Sequence, residues 1–435
     1  MQFYSTNNPS QTVDFKEAVF NSFPADKGLY MPENIPQLNN AFLKNIEKYS
    51  LQEIAFEVTK TLLTGSIPDS DLRFLINDAI NFPAPLKELD DKTYVLELFH
   101  GPSLAFKDFG ARFMSRVMSY YLKDDEQILD VLVATSGDTG GAVALGFLGV
   151  PNTRVTILYP KGKVSEIQEL QLTTNGQNIR AIEVDGTFDD CQALVKQAFT
   201  DADLNRKLRL TSANSINIAR LIPQMFYYFN AYAELKRAGK TDIIFSIPSG
   251  NFGNMAAGLL AWKMGLPVKQ FLAATNANDT VPRFLQTGTY NPKKSVQTIS
   301  NAMDVGSPSN WARIVDLFKE NPDQLKNIIT GFNFTDEETV KAISRIFEKF
   351  NYVVCPHTAI AWLAFAAWQT NRPNDESTGV FLSTAHACKF PDVFADDIFK
   401  QVVVQEQVRG MASKNKLQVS IGNDFESFKE YLLNK

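Results

Sequence analysis

From about residue 93 onward, short runs of branched apolar residues alternate with longer stretches of helical periodicity, and no other feature restricts the fold as much. Strands are expected at 94–98, 128–134, 155–159, 179–184, 242–247, 271–275 and 380–383. Helical patterns fall between them, at 109–122, 139–148, 165–173, 191–200, 217–237, 254–264 and 358–368. Parallel strands need long crossovers and helices supply them, so the pattern predicts an α/β protein with a mainly parallel sheet covered on both faces. Such sheets bind ligands at the carboxyl ends of their strands. Residues 1–92 read differently, with turn-rich segments, one amphipathic stretch at Leu51, Ile54, Ala55 and Val58, and a break at Pro83 and Pro85. The expected division is 1–92 as an N-terminal α+β extension, 93–235 as a smaller α/β domain and 236–435 as a larger one. An α-rich appendage is expected from about Asp392.

Charge and cysteine usage narrow the function classes. The 435 residues carry 43 basic and 48 acidic side chains, net −5, without a basic run of the kind a nucleic-acid binder shows. The apolar run Ala359 to Trp368 is about half of the ~20 residues that span a bilayer, so it reads as a buried helix. The first fifteen residues lack a basic segment followed by an apolar one and do not read as a secretion signal. Cys191, Cys355 and Cys388 are odd in number and form no CxxC pair; inert thiols in a reducing, cytoplasmic setting are expected. With His100, His357 and His386 as the sole histidines and no HExxH, no metal site is expected. His100 and His386 read as structural hydrogen-bonders, and His357 as a cap or core residue.

Two segments pass from a strand through a glycine-rich turn into a helix: Ala134-Thr-Ser136-Gly137-Asp138-Thr139-Gly-Gly and Ser249-Gly250-Asn251-Phe252-Gly253-Asn254. A helix start offers free N–H groups and the positive end of a dipole, and glycine lets an anion come close to the backbone. Either turn is suited to a phosphate or a carboxylate; the plainer reading is two tight βα turns. Neither is a Walker A or a GxGxxG. A third polar cluster, Ser212-Ala-Asn-Ser215-Ile-Asn217-Ile-Ala-Arg220, opens another helix. Arginine with hydroxyl and amide donors suits phosphate, but an N-cap with a solvated arginine explains the same residues. Lys107, in His100-Gly-Pro-Ser-Leu-Ala-Phe-Lys107-Asp-Phe-Gly, follows an apolar triplet and opens an amphipathic helix. A desolvated lysine loses its proton near neutral pH and attacks carbonyls, though few lysines do so.

These motifs, followed by Ser383-Thr384-Ala-His386, occur in an order that resembles the threonine synthase family, of the long-chain kind with an N-terminal extension. That family belongs to the fold-type-II pyridoxal-phosphate enzymes related to the tryptophan synthase β-subunit. Lys27-Gly-Leu-Tyr-Met-Pro-Glu33 is similar to a segment of the family's extension, and the resemblance runs to about residue 390. One departure is Ala387-Cys388, where the family has Pro-Ala, which bears on the local loop geometry.

The resemblance implies two open, mainly parallel α/β sheet domains plus the extension. It implies pyridoxal 5'-phosphate held by Lys107 as a Schiff base, with the cofactor phosphate on Gly250, Asn251, Phe252, Gly253 and Asn254. Thr384 would face the pyridine nitrogen. Ser136, Gly137, Asp138 and Thr139 would take the substrate carboxylate, with Asp138 also near the cofactor. Ser215, Asn217 and Arg220 would take the substrate phosphate. The implied reaction converts O-phospho-L-homoserine and water to L-threonine and phosphate, in a monomer or homodimer. The rival readings are another fold-type-II lyase or dehydratase acting on a phosphorylated or hydroxy amino acid, and a non-catalytic relative that binds a ligand.

Overall fold

The computed structural model describes residues 1–434. Two open sheets organise it. The larger has six strands in the order Ile329–Asn333, Gln270–Thr275, Ile243–Pro248, Thr378–Ser383, Thr93–Glu97 and Leu86–Asp90. All neighbours are parallel except the last pair. The smaller has five parallel strands in the order Gln418–Ile421, Ile179–Val184, Thr153–Pro160, Leu129–Ala134 and Arg209–Ser212. The strands Leu129–Ala134, Ile243–Pro248, Gln270–Thr275 and Thr378–Ser383 are buried throughout, as expected where helices cover both faces. The apolar run at 359–368 lies in the helix Pro356–Thr370, which packs on the larger sheet. Gly379 makes that contact close, for a β-carbon there would lie 2.0 Å from the Phe365 ring.

The expected cuts at 93 and 236 do not follow sheet membership. Thr93–Glu97 pairs with Thr378–Ser383 in the larger sheet, although 93–235 was assigned to the smaller domain. Gln418–Ile421 completes the smaller sheet beside Ile179–Val184, although it falls in 236–435. The larger sheet therefore takes two strands, Leu86–Asp90 and Thr93–Glu97, and the smaller sheet one, Gln418–Ile421, from beyond its contiguous stretch. The physical reason is that a parallel strand is recruited by crossover, so sequence proximity carries little information about its neighbour. The segment from Asp392 is accordingly not purely helical: the short strand Gln418–Ile421 is half exposed and lacks the apolar run that marks the buried ones.

The helix expected over 217–237 is broken. Ile218–Leu221 and Phe226–Arg237 flank a 3₁₀ turn at Ile222–Met225, where Pro223 has no N–H to continue an α-helical ladder. The extension holds a three-stranded antiparallel sheet, Thr12–Asp14, Gln2–Ser5 and Tyr30–Pro32. Its helix Leu51–Leu62 is opened by a reciprocal Ser50–Glu53 capping box and buries Leu51, Ile54, Ala55, Val58 and Leu62. One continuous core joins the extension, the helix Lys107–Tyr121, the helix Phe226–Arg237 and strands of both sheets. Among the described residues, no helix is long and apolar enough to cross a membrane, and no cluster of His, Cys, Asp and Glu is suited to a metal ion.

Candidate active site

Lys107 sits where the two sheets meet. The segment before it lies along the end of the strand Thr378–Ser383. Phe106 N–H donates to Thr384 O at 2.8 Å, His386 N–H to Leu104 O at 3.0 Å, and Ala105 bridges Ala385. Leu104 has φ +58°, a left-handed conformation that costs a leucine energy and is held here by these contacts. Lys107 then opens the helix Lys107–Tyr121, and its Nζ donates to Thr139 Oγ1 at 3.0 Å. Desolvation, aided by the positive charges of Arg220 and Lys389, pushes the amine down to about 8 against the opposing pull of Asp138.

The two glycine turns share a feature that suits an anion. Several helices elsewhere are capped by side chains such as Asp14, Ser50, Ser165, Thr187 and Thr335, while others, among them Asp69–Ala79 and Pro356–Thr370, are not. The helices Asp138–Phe147 and Gly253–Lys263 start on Gly137 and Phe252, whose side chains give no cap hydrogen bond. Before the first, Thr135 Oγ1 accepts from Gly137 N–H at 2.9 Å and Gly140 N–H at 2.8 Å, which leaves the N–H groups of Asp138 and Thr139 for an anion; the second leaves its first-turn N–H groups for one as well. Gly137 has φ +133°, and a β-carbon there would lie 2.4 Å from Gln168. Phe252 has φ +59°, and a β-carbon on Gly250 would lie 2.7 Å from Met303 Cα. Asn254 accepts from Tyr227 Oη at 2.7 Å and Tyr228 Oη at 2.6 Å, while its buried Nδ2 has no protein partner. An unpaired buried donor beside an uncapped helix start fits an anionic ligand group.

Ser215 is tied to the second turn: its Oγ accepts from Asn251 Nδ2 at 2.6 Å. Arg313, fully buried, fixes the Ser215 segment from behind by donating to Ser215 O at 3.3 Å and Ile216 O at 2.6 Å. Lys107, Ser136, Thr139, Ser215 and Asn251 line one cleft of about 520 Å³, together with Asn214 and, at its edge, Lys293 and Lys294. The cleft opens at the carboxyl ends of strands from both sheets. Thr384 is buried just past Thr378–Ser383, and its carbonyl receives the Phe106 N–H.

Three expected site residues have their side chains bonded to protein groups. Asn217 is fully buried and caps Ile218–Leu221, accepting from Ala219 N–H at 3.0 Å. Its Nδ2 donates to Val19 O at 2.8 Å and Ser22 Oγ at 3.1 Å, so its amide is spent on holding the extension. Arg220 is 2% exposed, donates to Ala213 O, and lies behind the cleft wall with an unpartnered Nε. Asp138 turns inward: its Oδ1 lies 2.7 Å from Lys389 Nζ and accepts from Gln168 Nε2 at 3.0 Å. Burial opposes ionisation, yet Lys389 and Gln168 hold this carboxyl down at about 2.

Lys389, Gln168, Lys293 and Lys294 escaped the sequence reading. Lys389 directly follows the departing Ala387-Cys388 pair; the other three lie in stretches without a marked motif. Of the histidines, His100 lies 2.7 Å from Glu97, and His386 Nδ1 accepts from Cys388 N–H at 3.2 Å. His357 accepts from Ala302 N–H at 3.2 Å, and desolvation pushes it down to about 4, so it is neutral.

Comparisons with known proteins agree with this geometry. Residues 79–384 match the family described as pyridoxal-phosphate dependent enzyme, and residues 2–80 match threonine synthase N terminus. The chain is 43% identical to a threonine synthase from Haemophilus influenzae and 40% identical to one from Escherichia coli, each over the full length of both chains. The crystal structure of the Escherichia coli threonine synthase superposes with a TM-score of 0.92 over 100% of both chains. A pyridoxal-phosphate-bound threonine synthase from Brucella melitensis, 32% identical, gives 0.91 over 99% of this chain and 98% of that one. Maize serine racemase, at 16% identity and a TM-score of 0.54 over 73% of this chain and 92% of that one, shares the fold alone. The chain belongs to the threonine synthase family of pyridoxal-phosphate-dependent enzymes.

Proposed function

We infer that the protein converts O-phospho-L-homoserine and water to L-threonine and inorganic phosphate. The observation that carries this reading is a desolvated Lys107 amine in one cleft with two glycine turns that open helices and keep N–H groups free, which suits an anionic cofactor and an anionic substrate together. When bound, pyridoxal phosphate supplies an electron sink for charge that develops on the substrate carbons.

In this reading the Gly250–Asn254 turn holds the cofactor phosphate, with the free Asn254 Nδ2 as a further donor. The Thr384 hydroxyl serves the pyridine nitrogen. The Ser136–Thr139 turn takes the substrate carboxylate on its N–H groups. Ser215 takes the substrate phosphate, and Arg220 contributes positive charge from behind the wall; Asn217 has no part in it. With its amine near 8, Lys107 Nζ is partly neutral at neutral pH and exchanges protons readily. It removes a proton from Cα and one from Cβ and returns protons at Cγ and Cα. Phosphate leaves Cγ and water adds its oxygen at Cβ, which balances the overall reaction. Thr139 Oγ1, 3.0 Å from Nζ, aims the amine.

The three cysteines are buried free thiols, which fits a reducing, cytoplasmic setting for a monomer or homodimer. The test is a purified protein assay with added pyridoxal phosphate and phosphohomoserine. Threonine and phosphate released one to one support the reading; ammonia release from serine without phosphohomoserine turnover contradicts it.

A further inference from the structure

Lys389 is fully buried, and the reaction described above assigns it no step. It ends the 3₁₀ turn Ala387–Lys389, soon after Thr384. Its Nζ lies 2.7 Å from Asp138 Oδ1 and donates to Ser103 O at 2.9 Å. Asp138 opens a helix of the smaller sheet, Ser103 precedes Lys107, and Lys389 follows a strand of the larger sheet. One ammonium thus ties together three segments that converge on the site. A lysine with no exposure is tolerated only where partners replace its water.

The turn 136–139 offers a helix start to an anion, yet it contains a carboxylate. Two carboxylates a few ångströms apart repel strongly where water is excluded. Lys389 removes that conflict. We propose that Lys389 is a positioning residue: its ammonium neutralises Asp138 inside the anion-binding turn and fastens the turn to the Lys107 segment, so that the turn can receive an amino-acid carboxylate. The proposal rests on the reading of that turn given under the proposed function.

A second consequence concerns Lys107 itself. The charged or titratable groups that act on it are Arg220, Asp138, Lys389 and the neutral His357. Asp138 favours the protonated amine, whereas Arg220 and Lys389 disfavour it. Removing the charge of Lys389 leaves Lys107 holding its proton to higher pH.

The test compares Lys389→Met, Lys389→Arg, Asp138→Asn and the double variant Lys389→Met/Asp138→Asn. In apoprotein, the pH midpoint of Lys107 is read by acetylation with limiting acetic anhydride and peptide mass mapping. Lys389→Met is expected to raise the midpoint by on the order of one pH unit, a tenfold change in protonation constant. Lys389→Arg keeps it, and the double variant returns it toward the wild-type value. In holoenzyme, KM for phosphohomoserine is expected to rise by about tenfold or more in Lys389→Met and to recover in part in the double variant. A purely structural lysine would lower stability without moving the midpoint, and that result overturns the proposal. Should Lys389→Met not fold, the double variant is compared with Asp138→Asn, where equal midpoints likewise overturn it. Absence of phosphohomoserine turnover by the wild-type enzyme would instead sink the functional reading, since the acetylation midpoint needs neither cofactor nor substrate.

Discussion

Lys107, Asn217 and His357 are all enclosed polar groups, and the structure gives each a different task. Lys107 touches a hydroxyl and faces the cleft, so its lowered amine is available for chemistry. Asn217 spends its amide on the extension and on a helix start. Asn217→Ala is therefore expected to cost about 1–3 kcal/mol in unfolding free energy, measured by urea denaturation, with KM for phosphohomoserine unchanged. A raised KM at unchanged stability would return Asn217 to the phosphate site. His357 is held neutral by burial, with a folded value of about 4 against 6.5 when free. Between those values the unfolded chain binds a proton that the folded chain does not, so stability falls as pH drops from about 6.5 to 4. The loss is on the order of 2–3 kcal/mol, and His357→Gln is expected to flatten that limb in a pH series of unfolding midpoints. At this scale the Lys107 motif was legible because its neighbours are distinctive in sequence. The inward turns of Asn217, Arg220 and Asp138 were not, because a polar side chain's direction depends on partners far along the chain, such as Val19 and Lys389.

Elements carry the anion logic. Both glycine turns lead into helices that keep first-turn N–H groups free, although Thr135 Oγ1 takes that of Gly140, and the strand–turn–helix pattern announced them. Gly250 is the sharper test, since a β-carbon there meets the Met303 backbone rather than a movable side chain. Gly250→Ala is expected to weaken pyridoxal phosphate binding by at least about tenfold and to cost about 1–3 kcal/mol of stability. Fluorescence titration of the apoprotein with cofactor measures the first and thermal unfolding the second; unaltered affinity would mean that the phosphate rests elsewhere. Buried strands such as Leu129–Ala134 and Ile243–Pro248 were readable as branched apolar runs. Leu86–Asp90, Ile329–Asn333 and Gln418–Ile421 were not, because edge strands are partly exposed and carry no such run. The break at Pro223 was signalled by the proline itself, within an otherwise continuous helical pattern.

At the scale of the whole molecule, two mainly parallel sheets present the carboxyl ends of their strands to one cleft, and each sheet supplies one glycine turn and helix start to it. The class of fold followed from strand–helix alternation, whereas the exchange of Thr93–Glu97 and Gln418–Ile421 between the halves did not, since strand order is decided by crossovers that leave no local trace. That exchange has a functional side: the strand Thr93–Glu97 leads from the larger sheet directly into the Lys107 segment, so the amine is anchored to one sheet while Thr139 of the other sheet touches it. Everything proposed for the reaction depends on Lys107 being the residue joined to the cofactor. Reduction of the holoenzyme with borohydride, followed by proteolysis and mass mapping, measures this directly. The expected result is a single pyridoxyl group on the peptide that contains Lys107; its appearance on Lys389, Lys293 or any other lysine, or no adduct at all, would contradict the assignment.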